Sequence, residues 1–170
     1  WQPVVEVEDE VYRYQPADNG AGPMWCSGST CLVRVGERVF ASGLETLPEF
    51  PPLNNCRWQL WERADAGWQL RQRDEQGRTR EPCPLAVFHD GRVFLSGNPT
   101  LAGPEKPAGP ARPEILMFQA DQPQAPPEPD ALQAKPCDMQ DHRRLGGRLS
   151  DRHVARDGAE VVETQLDADG

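Results

Sequence analysis

Between Cys31 and Gln119 apolar and polar positions alternate in short runs broken by turn residues. That is the period-two signature of strands half buried in a sheet. The first run predicts a strand over about Cys31 to Val35, a tight turn at Gly36-Glu37 and a second strand over Arg38 to Ser42. A long loop follows from Gly43 to Cys56. In the third strand, Arg57 to Arg63, the positions Trp58, Leu60 and Glu62 alternate with Gln59, Trp61 and Arg63. A turn at Ala64-Asp65-Ala66-Gly67 leads to a fourth strand, Trp68 to Arg73. A second set opens at Leu85, turns at His89-Asp90-Gly91 and continues through Arg92 to Ser96 and Glu114 to Gln119, without a clear fourth member. The stretch Val4 to Tyr14 also reads as extended.

The two sets repeat one another. Arg38-Val39-Phe40-Ala41-Ser42-Gly43 recurs 54 residues later as Arg92-Val93-Phe94-Leu95-Ser96-Gly97. Leu32-Val33-Arg34-Val35 matches Ala86-Val87-Phe88 in character. The run from Trp58 to Asp65 echoes Glu114 to Asp121 at an offset of 56. A period near 50 residues built from four-stranded meanders points to propeller blades. The expected fold is therefore all-β: a partial β-propeller of about two four-stranded antiparallel blades. A small antiparallel sandwich of the same strands is the alternative. Propellers close with roughly four to eight blades, so the missing blades are expected from the rest of a longer chain.

Composition divides the chain. All five Trp lie at or before Trp68, and the last aromatic residue is Phe118. Nine of the 18 Pro fall between Leu101 and Pro136. The blades are therefore assigned to residues 1–121. Residues 122–170 are read as a Pro-rich linker and a polar, disordered or irregular tail. From Asp138 on, Arg, Asp, Gly and Ala dominate, as in a natural tail or an out-of-frame reading of a GC-rich gene.

The formal charge of −9, from 18 Lys+Arg against 27 Asp+Glu, argues against nucleic acid as the main partner. It equally disfavours anionic lipid. No run approaches about 18 apolar residues, so no membrane span is expected. Cys26, Cys31, Cys56, Cys83 and Cys137 make an odd number. Cys26 and Cys31 resemble half a zinc site without its second half, and neither metal nor cofactor is expected. Disulfides in an exported protein, periplasmic or extracellular, are one reading, and inert buried thiols the other. Cys56 and Cys83 are expected to lie close together, with Cys26 and Cys31 as a competing pair.

A meander alternates its turns between two ends. Gly36-Glu37, Asp65-Ala66-Gly67 and His89-Asp90-Gly91 share one end, which carries only tight turns. The long loops share the other, and loops held by a rigid scaffold are where binding groups gather. The candidates there are Glu45, Asn54, Asn55, Arg80, Glu81 and Asn98. In Arg80-Glu81-Pro82-Cys83-Pro84 two prolines stiffen a backbone that presents Arg80 to a carboxylate or a sugar hydroxyl; the structural reading pairs Arg80 and Glu81 with neighbours. Asn54 and Asn55 either hydrogen-bond a polyol or cap their own loop. Glu45 becomes an acid or base only with a shifted pKa and a partner within reach. Arg34, a charge on an innermost strand, is expected to line a channel and hold an anion. Trp25 is expected in the core more than on a sugar ring, and His89 in its turn.

Arg34 in the first strand, with Trp68 opening the fourth after Asp65-Ala66-Gly67, resembles the sialidase-like propellers that carry Asp-box repeats, including exported bacterial members. The resemblance spans roughly Gly22 to Asp121. Arg63 stands at the hydroxyl position of the box, and Trp68 follows Gly67 directly. The resemblance implies a glycan-binding or glycan-processing fragment, with Arg34 matching the first substrate-carboxylate arginine. It implies that the nucleophile pair and the other arginines fall in later blades. A glycoside hydrolase activity of this chain alone is therefore not expected. The alternative is a non-catalytic structural or protein-interaction propeller.

Overall fold

The computed structural model describes residues 2, 4–5, 8–25 and 29–130, and no helix occurs among them. The strands are β1 (Leu32–Val35), β2 (Arg38–Thr46), β3 (Cys56–Ala64), β4 (Gly67–Arg73), β5 (Leu85–Val87), β6 (Arg92–Gly97), β7 (Glu114–Gln119) and β8 (Glu128–Asp130). They form two antiparallel meanders in chain order, β1-β2-β3-β4 and β5-β6-β7-β8. Gly36 (φ 58°) and Gly91 (φ 90°) turn the equivalent first hairpins in a region that L side chains rarely adopt.

Several expectations are corrected. β2 and β3 pair as far as Thr46 with Cys56, so Glu45 lies on a strand and the connecting loop is shorter than its composition implied. A fourth strand does exist in the second sheet, beyond residue 121: Ile115, Leu116 and Met117 pair with Asp130, Pro129 and Glu128. Pro129 is tolerated because β8 is an edge strand, where a missing donor faces no neighbour. The described part of the Val4 to Tyr14 stretch carries no strand. Trp25 is 55% exposed rather than in the core. Cys31, Cys56 and Cys83 are free thiols, and Cys56 and Cys83 sit in different apolar clusters, so the expected bridge is not formed. Cys26, Cys137 and the tail from 138 lie outside the described residues.

The hydrogen-bond register refines the repeat. Phe40 pairs with Glu62 and Phe94 with Met117; Ser42 pairs with Leu60 and Ser96 with Ile115. Leu60 therefore corresponds to Ile115, an offset of 55 rather than 56. Each repeat presents two faces. Call the front the face of Phe40 and Ser42. Ser42 donates its N–H to Cys31 C=O at 2.9 Å, and Ser96 donates to Pro84 C=O at 3.0 Å, both toward the first strand of their sheet. In an L-polypeptide that direction fixes the side-chain face, so Phe94 and Ser96 are the front of the second sheet.

The core shows how the faces meet. One buried cluster joins Val33, Phe40, Trp58 and Leu60 with Leu85, Val93, Leu95, Leu116 and Phe118. The first group is the front of sheet one; the second is the back of sheet two. Trp58 meets Phe118 edge-on, centroids 6.0 Å apart. The two sheets are thus stacked front to back, like successive members of an array, and not as a two-fold sandwich. Phe40, Leu60, Val93 and Leu95 are fully buried, each contributing about 1.5–3 kcal/mol of apolar burial. β1 and β5 approach closely across the interface. On the far side the sheets diverge into a cleft of about 460 Å³ lined by Trp58, Gln72, Glu114 and Pro126.

The N-terminal strap, residues 8–19, runs along sheet one: Tyr12 lies on its back, and Tyr14 and Ala17 pack with Leu44 and Cys56 at its loop end. Tyr12 stacks on Trp61 at 5.7 Å, and its hydroxyl accepts from Leu44 N–H at 3.0 Å. Gly43 lies under that ring: an added Cβ would stand 2.8 Å from Tyr12. Asp9 pairs with Arg63 at 2.7 Å, and Thr46 donates to the Gln15 carbonyl.

Candidate functional site

The long loops of both sheets and the 74–84 connection meet at one end, as the meander requires. Cys56 and Thr79 form an isolated bridge there, as do Thr100 and Ala111. Arg78 ties the loops together. Its guanidinium donates to the carbonyls of Asn54 (3.1 Å), Ala102 (2.8 Å) and Gly103 (3.0 Å), and lies 4.6 Å over the Phe50 ring. Asn54, Thr79, Arg80, Glu81 and Asn98 line a common cleft. Four of the sequence-derived candidates are therefore brought together: Asn54, Arg80, Glu81 and Asn98. The cleft itself is narrow, about 20 Å³, which is room for about one water. It adjoins a recess of about 210 Å³ that Thr79, Glu81 and Asn98 share with Ser29 and Ser96.

The side chains at this end divide by what they already hold. Asn54 donates to Pro107 C=O at 3.0 Å, closing one loop on another. Asn55 donates to Ala17 C=O at 2.8 Å and accepts from Asn19 at 3.1 Å. Both are buried, and the loop-capping reading of Asn55 describes its contacts. Arg80 is different. Its Nε donates to Asn19 C=O at 3.0 Å. No described residue accepts from its two terminal nitrogens or forms an ion pair with it or with Glu81. The one side-chain hydrogen bond of Arg80 among the described residues is thus to a neighbouring backbone carbonyl. Arg80 is held through Nε, its Nη2 lies against Gly20, and the residue lines the cleft with Glu81 and the exposed Asn98.

Two candidates lie elsewhere. Arg34 is exposed at the opposite, tight-turn end, where it donates to Gly36 C=O at 2.8 Å and to Glu37 at 3.2 Å. Its strand is the edge strand of sheet one. Glu45 points from the back of sheet one and accepts from Arg57 (2.8 and 3.1 Å) and Gln59 (3.3 Å), with Arg73 at 3.7 Å. The Arg57 guanidinium holds its carboxyl below the ordinary value, the reverse of what a proton donor at neutral pH requires. His89 sits exposed in its turn.

Sequence reasoning missed Asn19, Ser29 and Thr79. Asn19 fixes Arg80 from a segment without periodicity, and only Gly20 beside it signalled a turn. Among the described residues no three His, Cys, Asp or Glu side chains form a metal-holding group. No helix long and apolar enough to cross a membrane occurs among them. Known protein families, curated proteins and solved structures show no match to this chain.

Proposed function

We propose that this chain is a non-catalytic binding module of propeller-type repeats that takes a small, oxygen-rich polar ligand, such as a glycan, at its long-loop end. The observation that carries this reading is Arg80. Its Nε is held by Asn19, its terminal nitrogens meet no acceptor among the described residues, and it lines the narrow cleft with Thr79, Glu81 and Asn98, which also line the adjoining recess. An anchored guanidinium loses little freedom on binding and meets a carboxylate or a pair of hydroxyls with parallel donors. The recess offers hydroxyl, amide and carboxylate groups together, the mixed set a sugar edge requires. The front-to-back stacking and the approach of β1 to β5 support the propeller-type reading. A sialidase mechanism gains no support, because Arg34 lies at the other end and Glu45 is neutralised by Arg57. An exported location goes with a glycan ligand and rests on that reading.

The test is a glycan-array screen of the full chain, followed by titration of the captured glycan against two variants. Arg80→Ala is expected to weaken binding about tenfold or more, the value of one or two charge-assisted hydrogen bonds. His89→Ala, at the opposite end, leaves it unchanged. Capture of no glycan, or equal losses from both variants, contradicts the reading.

A further inference from the structure

No described residue covers the front of sheet two. Phe88, Phe94, Ile115 and Met117 line an open concave face of about 620 Å³, rimmed by Arg92 and Glu128. Phe88 is 53% exposed, and its ring meets Phe94 edge-on at 5.3 Å. On the same face of sheet one, Phe40 and Leu60 in the equivalent places are fully buried against the back of sheet two. The molecule therefore contains the interface that its free face repeats. It also contains the anchor. Arg38, on the front of sheet one, reaches across to the Ala120 carbonyl of the next sheet while pairing with Glu62 at 3.0 Å. Its counterpart Arg92 lies over the Phe88 and Phe94 rings, at 5.1 and 5.5 Å, and among the described residues pairs only with Asp90 of its own turn.

The opposite terminal face is built otherwise. On the back of sheet one, Ala41 and Arg63 stand where sheet two has Leu95 and Phe118, and Tyr12 of the strap lies across it. Tyr12 covers Gly43 and Trp61 there, while Leu32 and Leu70 of the same face stay exposed. A second copy of this chain thus offers a poorer match: one back carries Ala41 and Arg63 in place of Leu95 and Phe118 and has Tyr12 across it, and the other is in the core.

We infer that the Phe88–Phe94–Ile115–Met117 face is a docking surface for one further four-stranded sheet of this same repeat, carried by a partner polypeptide segment and taken front to back. The incoming sheet presents an aliphatic back of the Val93–Leu95–Leu116–Phe118 type, and Arg92 donates to its last-turn carbonyl as Arg38 does to Ala120.

A defined probe is residues 74–130, which carry the native connection and the whole second repeat. The chain is prepared with that segment repeated once between Asp130 and Ala131, the added copy bearing Met117→Leu. The readout is peroxide oxidation of the original Met117, with Met24, 79% exposed, as internal reference. The unmodified chain is expected to sediment as a monomer with a reactive Met117. The added repeat is expected to slow Met117 oxidation at least about tenfold without changing Met24, since oxidation follows exposure. Phe94→Lys in the original sheet, a residue outside the buried core cluster, is expected to restore the rate. An unchanged Met117 rate overturns the inference. So does an added copy that stays unfolded by circular dichroism, because a face made for it should fold it as sheet one's front folds sheet two. A dimeric unmodified chain that Phe94→Lys dissociates also overturns it, by making the occupant a second copy.

Discussion

Arg78 is the side chain on which the loop end depends, and its replacement gives a prediction with a definite size. It is 7% exposed, and no carboxylate of the described residues pairs with it. The guanidinium is satisfied by three carbonyls and the Phe50 ring. Arg78→Met keeps most of the stem packing and removes every polar contact. A hydrogen bond to a charged group is worth about 1.5–3 kcal/mol. Ala102 and Gly103 are half-buried and recover water, so they cost little, whereas Asn54 is buried and its carbonyl loses its donor. The cation–π contact adds about 1 kcal/mol, and relief of the buried charge offsets part of the sum. The expected loss is about 3 kcal/mol, or roughly 10 °C in Tm for a body of this size. Arg78→Lys keeps the charge but not the fork and is expected to lose about 2 kcal/mol. Urea unfolding followed by tryptophan fluorescence measures both, with an unchanged m value marking an unchanged unfolding reaction. A loss below about 0.5 kcal/mol for Arg78→Met refutes the reasoning, since three contacts to a buried cation cannot be that weak.

Two further outcomes follow from the thiols and the strand carboxylate. Burial pushes the Cys83 thiol up to about 12 and raises Cys56 as well; under native conditions iodoacetamide is expected to label the half-exposed Cys31 well before either, because the thiolate is the nucleophile. Equal labelling of Cys83, or recovery of a Cys56–Cys83 disulfide, contradicts this. Glu45 is held below its ordinary 4.5 by Arg57, so its stabilisation is present above that value and is lost as the pH falls through the lower folded-state pKa. Glu45→Gln is expected to destabilise by about 1 kcal/mol at neutral pH, with the gap closing in acid; a gap independent of pH removes the ion pair as its cause.

The strands and the repeat were legible because both are written in alternation. Arg-Val-Phe-x-Ser-Gly names β2 and β6 directly, and meander geometry alone sends Asn54, Arg80, Glu81 and Asn98 to one end. What escaped notice has physical reasons. The offset at the third strand was misjudged by one because matching Leu60 to Leu116 rewards similar letters. In the register the first hairpin and the following loop of repeat two are each one residue longer, so Leu116 changes face. β8 was hidden by Pro129, which an edge strand tolerates. The strap was invisible because Asp9, Tyr12, Gln15 and Asn19 act singly, each meeting a partner more than 30 residues away. Arg34 and Glu45 looked like ligand groups only because their true partners, Glu37 and Arg57, could not be assigned before the strands were paired.

The central claim is that two copies of one repeat stack front to back, and nuclear Overhauser contacts between aromatic side chains test it most directly. The account predicts cross-peaks between Trp58 and Phe118, whose rings meet edge-on at 6.0 Å, and none from Phe40 or Trp58 to Phe94 or Met117. Cross-peaks from Phe40 or Trp58 to Phe94 and Met117 would place the two fronts together, as in a two-fold sandwich, and would contradict it.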